Sequence, residues 1–214
     1  MRVIAGEFRS RRLKTLPGLE TRPTPDRLRE TLFDILGARI EASVFLDGYA
    51  GTGAVGIEAL SRGASRCIFL ERGKAAAKVI AENLASLGLE DRAVIEQAPV
   101  LAAIRRYTAD IVFLDPPYRL ENEHAVVMGL LSEKPPPLVI VQHSVRLSFA
   151  DAYGQLRRTR VVKQGDNALS FYSAAEFVGE REMAEIRSDE KMIKSLQAAS
   201  EDIKKGRFRI VQNR

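Results

Sequence analysis

The 214-residue chain reads as an α/β protein with a mostly parallel sheet that closes in an antiparallel hairpin. Three observations predict this. Short, continuous apolar runs alternate with helical stretches, the pattern of parallel strands buried on both faces. The helical stretches carry glycine stops, Gly63 and Gly88. After about residue 157 the rhythm changes to two strand-like stretches joined by Gln164-Gly165-Asp166-Asn167, a hairpin signal.

Residues 1–24 read as a basic hairpin and loop, with turn signals at Glu7-Phe8-Arg9-Ser10 and Leu16-Pro17-Gly18. Thr24-Pro25 then supplies an N-cap and a first-turn proline for a helix. Leu28, Leu32, Ile35 and Leu36 form its apolar stripe, and Arg27, Arg29, Glu30 and Asp34 are expected outward. Strands follow at Val44–Asp47, Arg66–Glu71, Val94–Glu96, Asp110–Asp115 and Leu138–Val141, then at about 157–163 and 168–173, seven in all. The intervening helices are Gly53–Ser61, Lys74–Leu87, Val100–Tyr107 and Ala125–Leu131. Residues 176–214 carry nine Lys/Arg and eight Asp/Glu with few large apolar residues. Helices are expected there at about 176–186 and 189–205, the second capped by Ser188 and stopped by Gly206. The division is therefore 1–24, 25–175 and a charged helical extension, 176–214. Partner binding, oligomerisation and a merely solvated helix are all open for that extension.

A content of 45% hydrophobic and 29% charged residues is that of an ordinary soluble protein. No apolar run approaches membrane-spanning length and no signal-peptide core opens the chain, so a cytoplasmic protein without a membrane partner is expected. The single cysteine, Cys67, cannot form an intrachain disulfide and reads as core filling. Without a Cys/His cluster no metal is expected, and neither His124 nor His143 has a catalytic setting. Net charge is +5. Met1–Arg29 holds eight Lys/Arg against three acids, and Arg157–Lys163 contains no acid. Such segments fit a polyanionic partner or a solvated face, and charge alone does not separate the two.

Two motifs carry the chemistry. Leu46-Asp47-Gly48-Tyr49-Ala50-Gly51-Thr52-Gly53 stands where the first strand gives way to a helix, the ligand end of an open α/β sheet. Gly51 and Gly53 let the backbone turn tightly and approach a bound molecule. The loop lacks Gly-Lys-Ser/Thr, and Asp47 ahead of the glycines would repel phosphates. A carboxylate there suits the sulfonium and amino group of S-adenosylmethionine. Glu71, 24 residues beyond Asp47, has the spacing of a ribose-gripping acid. The second motif is Asp115-Pro116-Pro117-Tyr118. Alone it is equally a strand stopped by proline. Chemically it suits methyl transfer to an exocyclic base amine: a carboxylate and a carbonyl accept the amine N–H bonds. The prolines hold those acceptors rigid, and the tyrosine stacks on the base.

These motifs, with Thr21–Phe33, Gly56–Ala64 and Ala168–Tyr172, resemble the RsmD-type 16S rRNA guanine-N2 methyltransferases over about residues 1–173. The resemblance implies a Rossmann-like class I methyltransferase fold with a small N-terminal β-hairpin. It implies a small-subunit ribosomal RNA substrate, within a small-subunit particle, and S-adenosylmethionine as methyl donor. Asp47, Gly51 and Gly53 would then hold the methionine part of the cofactor, with Gly48, Tyr49 and Ala50 also in its site; Glu71 would hold the ribose, and Gln97-Ala98 the adenine. Asp115, Pro116, Pro117 and Tyr118 would be catalytic. Arg9, Arg11, Arg12, Lys14 and Arg22 would meet RNA phosphates. Two departures stand out: Gln97-Ala98 replaces the usual Asp-Ala, and Gly48-Tyr49 replaces a bulkier apolar pair. A DNA or other RNA amino-methyltransferase, or a non-catalytic RNA-binding assembly factor, is the alternative.

Overall fold

The computed structural model of the protein describes residues 1–16, 26–117 and 121–174. Its strands are β1 (Val44–Gly48), β2 (Arg66–Leu70), β3 (Ala93–Glu96), β4 (Ile111–Leu114) and β5 (Leu138–Ser144). β6 (Ala152–Tyr153), β7 (Leu156–Gln164) and β8 (Asn167–Ala174) follow. They form one sheet in the order β3-β2-β1-β4-β5-β8-β7-β6. β1 to β5 pair parallel, and β8, β7 and β6 join antiparallel. The seven expected strands are present, and a two-residue edge strand, β6, makes an eighth.

The helices are α1 (Asp26–Leu36), α2 (Ala54–Ser61), α3 (Lys74–Leu87), α4 (Val100–Ala103) and α5 (Glu121–Glu133). α3 stops where expected because Gly88 takes the left-handed C-cap, φ 68°. The helix expected over 100–107 is α-helical only through Ala103. It tightens to a 3-10 turn over Ile104–Arg106, from which Arg105 reaches Glu133 and Arg106 reaches Glu96. None of the described helices is long and apolar enough to cross a membrane.

Alternation along the strands creates two cores, one on each face. Phe45, Phe69, Phe113 and Ile140 pack with α1, α2 and α3; Leu46, Leu70, Val112 and Val141 pack with α4 and α5. Cys67 is fully buried in the first core, where burial pushes its thiol well above its ordinary pKa. Chain contacts separate Met1–Phe177 from Val178–Arg214, and the expected tail helices lie outside the described residues, as do Thr24 and Pro25.

The basic hairpin forms with one bridge, Arg2 to Arg12, and buries Val3 and Leu13 in the first core. Glu58 on α2 holds it there. This carboxylate is fully buried and accepts the Ile4 N–H at 2.7 Å, the Ala5 N–H at 2.9 Å and the Arg62 Nε–H at 2.8 Å. Arg29 was expected on the solvent side of α1, yet it too is fully buried. Its Nη2 donates to the Arg2 carbonyl at 2.7 Å and to Asp26 at 3.0 Å, while its Nε lies 3.9 Å from Glu58, an ion pair without a hydrogen bond. The buried carboxylate, which has no local sequence signal, is what draws the guanidinium inward. At the turn, Gly6 adopts φ +82°, and a Cβ there would sit 1.9 Å from the Ser61 carbonyl.

Removing one partner from a buried charge cluster leaves the others uncompensated. Glu58→Ala should therefore lower stability by about 3–5 kcal/mol in urea unfolding. Amide exchange at Ile4 and Ala5 should quicken with it. A loss below about 1 kcal/mol would mean that the hairpin docks by apolar contact alone.

Candidate active site

The glycine loop joins β1 to α2 at the carboxyl edge of the sheet, beside the ends of β2 and β4. Asp47 is 2% exposed and its Oδ2 accepts the Gly56 N–H, in the first turn of α2, at 2.8 Å. Burial raises its pKa to about 7. The Gly56 bond opposes that rise, and Asp115 and Glu71, both acids, add to it. Three carboxylates thus converge on one loop.

Glu71 follows β2 and ties that loop down. Its Oε2 accepts the Gly51 N–H at 2.9 Å and its Oε1 the Gly73 N–H at 2.6 Å. Each oxygen keeps a lone pair for a further donor. Ala50 N–H donates to the Leu70 carbonyl at 3.1 Å, and Gly53 N–H to the Ala50 carbonyl at 2.8 Å. Gly48 has no room for a side chain, since a Cβ would lie 2.7 Å from Leu114. Gly51, at φ +56°, has only the Tyr49 carbonyl at 4.0 Å near where its Cβ would be, so its backbone faces open space.

The Asp115 motif begins just past β4. Asp115 is half-buried, and its N–H reaches the Gly48 carbonyl at 3.3 Å. Pro116 is buried and Pro117 exposed; Tyr118 and Arg22 lie outside the described residues. Gln97 is exposed just after β3, next to the partly buried Ala98. So Asp47, Gly48, Tyr49, Ala50, Gly51, Gly53, Glu71 and Asp115 share one edge of the sheet.

The basic residues are spread out. The hairpin turn with Arg9 packs at the far end of α2, through Glu7 N–H to the Ser61 carbonyl at 2.8 Å. Arg11 donates to the Ser86 carbonyl near the end of α3, at 3.2 Å, and Arg12 is exposed. The Lys14 backbone is linked to the loop through Asn83, and the Lys14 ammonium pairs with Glu82 at 2.8 Å.

Several contributors carry no motif. Asn83 on α3 is 1% exposed; its Oδ1 accepts the Lys14 N–H at 2.7 Å and its Nδ2 donates to the Thr52 carbonyl at 3.3 Å. A signal existed: Asn83 is a polar residue within the stripe Ile80, Leu84, Leu87. Tyr49 reaches across to α5, donating its hydroxyl to Glu123 Oε2 at 2.9 Å. The two histidines flank Phe149, with ring centroids 5.1 Å (His124) and 4.3 Å (His143) away. His143 Nε2 lies 2.8 Å from Ser170 Oγ, and burial lowers its pKa, keeping the ring neutral.

A family model described as "Conserved hypothetical protein 95" matches residues 1–173. The Bacillus subtilis protein YlbH is 34% identical over 181 residues, 80% of this chain and 98% of its own. A Haemophilus influenzae protein named ribosomal RNA small subunit methyltransferase D is 40% identical over 151 residues, 66% of this chain and 78% of its own. Among solved structures, yhhF of Escherichia coli aligns with a TM-score of 0.71 at 30% identity, covering 81% of this chain and 97% of that one. A glycine loop, strand-end acids and a proline motif in this strand order, together with these matches, place the chain in the RsmD-type methyltransferase family.

Proposed function

We propose that the protein transfers a methyl group from S-adenosylmethionine to the N2 amine of a guanine in small-subunit ribosomal RNA, within a small-subunit particle. The observation that carries the reading is the convergence of Asp47, Glu71 and Asp115 around an open glycine loop. Among the described residues, both charges that act on Asp47 are negative, so the site favours a cationic ligand over a phosphate. The relatives' names support ribosomal RNA as the substrate class.

S-Adenosylmethionine, when bound, supplies an electrophilic methyl group on a sulfonium. Asp47 and the Gly51–Gly53 backbone would hold its methionine part, and Glu71 its ribose. Gln97 offers the adenine amine a neutral acceptor, its side-chain carbonyl. Asp115 and the Pro116 carbonyl would accept the two N–H bonds of the target amine, drawing its lone pair out of the ring. Pro116 and Pro117 donate no N–H and fix φ, which keeps those acceptors in place. Tyr118 is assigned to stack on the guanine. Once the nitrogen is alkylated it is acidic, and Asp115 takes the proton directly or through water.

Asp115→Ala should abolish methyl transfer while leaving cofactor affinity within a few-fold; normal turnover would remove Asp115 from the mechanism. The substrate is tested by tritiated methyl transfer to small-subunit particles and mapping of the labelled nucleotide. Label on a base other than guanine would replace the N2 assignment.

Cofactor binding should depend on pH. The sulfonium favours ionised Asp47, yet burial without a cation beside it holds its proton up to about pH 7. Affinity should therefore rise about tenfold from about pH 6 to about pH 8, and Asp47→Asn should flatten the profile in calorimetry. A pH-independent affinity in the unmodified protein would place the positive centre elsewhere. The same sign governs stability. The unfolded chain loses this proton near 3.8, the ordinary aspartate value, so Asp47 lowers the stability of the cofactor-free protein as pH climbs toward about 7.

Charge reversal of Arg11 and Arg12 together should weaken RNA binding, with the deficit shrinking as salt is raised. A salt-independent deficit would assign both residues to folding.

A further inference from the structure

Tyr49 interrupts the glycine loop with a large side chain in a conformation that glycine favours, φ +66°. Strain of this kind persists only where its surroundings hold it, and it concentrates at functional sites. Here the ring packs on the core beneath α5, and the hydroxyl donates to Glu123 in the first turn of α5. Burial, then the bond to Glu123, raises the pKa of Tyr49 above its ordinary value, so the hydroxyl remains a donor.

The backbone completes the arrangement. Asp115, at one end of the 115–123 segment, donates its N–H to the Gly48 carbonyl. Glu123, at the other end, accepts the Tyr49 hydroxyl. One dipeptide of the glycine loop therefore holds both ends of the stretch that contains the Asp-Pro-Pro motif.

We infer that the Tyr49–Glu123 pair is a positioning latch that sets how the glycine loop meets the start of α5 and, beside the Gly48–Asp115 bond, the spacing between methyl donor and target base. The inference rests on the function proposed above. Tyr49 is a positioning residue in this role: its hydroxyl acts through Glu123 on α5.

The test uses Tyr49→Phe, which keeps the ring, and Glu123→Ala. Each should slow single-turnover methyl transfer about tenfold while S-adenosylhomocysteine affinity changes less than about twofold. Glu123→Gln retains an acceptor oxygen and should stay near the unmodified rate. The double variant Tyr49→Phe/Glu123→Ala should be no slower than either single one. An unmodified rate in Tyr49→Phe overturns the latch, as does a loss of S-adenosylhomocysteine affinity that matches the loss of rate. Hydrogen exchange gives a readout that does not need catalysis. Tyr49→Phe should speed exchange at Ala125, Val126 and Val127, and unchanged exchange overturns the latch. A quickened exchange in a protein that methylates no RNA upholds the latch and overturns the function.

Discussion

A single buried carboxylate, Glu58, organises the face of the sheet on which the glycine loop is built. Two backbone N–H groups of the hairpin, the Arg62 guanidinium and the Arg29 guanidinium all gather around it. Burying these charges is costly, and the net gain over an apolar cluster of equal volume is small. What the cluster does is tie α2 to the hairpin and to α1 at one point, because two backbone N–H groups and two guanidinium groups meet the same carboxylate. The same helix is gripped near its start by Asp47 through Gly56 and at its end by Glu7 through the Ser61 carbonyl. The loop that opens α2 inherits that precision.

The elements that could be read from sequence are those whose signals are local. α3 runs from Lys74 to Leu87 as expected because its apolar period lies within it and its stopping glycine, Gly88, follows directly. The buried strands announced themselves as apolar runs. Arg29 was misread because the buried acid it faces, Glu58, comes 29 residues later and on another helix. β6 is too short to show any alternation, with two residues. The helix after β3 tightens because Arg106 and Tyr107 both turn back to Glu96, a pairing across the chain rather than along it.

The site divides in the same way. Asp47, Glu71, Asp115 and the glycines were legible because strand ends and backbone turns demand particular residue types. Glu123 and Asn83 were not, since their value comes from partners on other elements, Tyr49 and Thr52. The basic hairpin was legible as charge, but only coordinates show its charges spread from the far end of α2 to the neighbourhood of the loop.

Glu71 has one more consequence. Together with the Leu70 carbonyl and Asn83 it fixes residues 50–53 before any ligand arrives. Ordering a backbone costs about 1–2 kcal/mol per residue, so about 4–8 kcal/mol of entropy for this loop is lost on folding rather than on binding. A ligand that enters meets a cradle already in shape. Its contacts with the loop are offset by desolvation and by its own lost freedom, with nothing further set against them for freezing the chain.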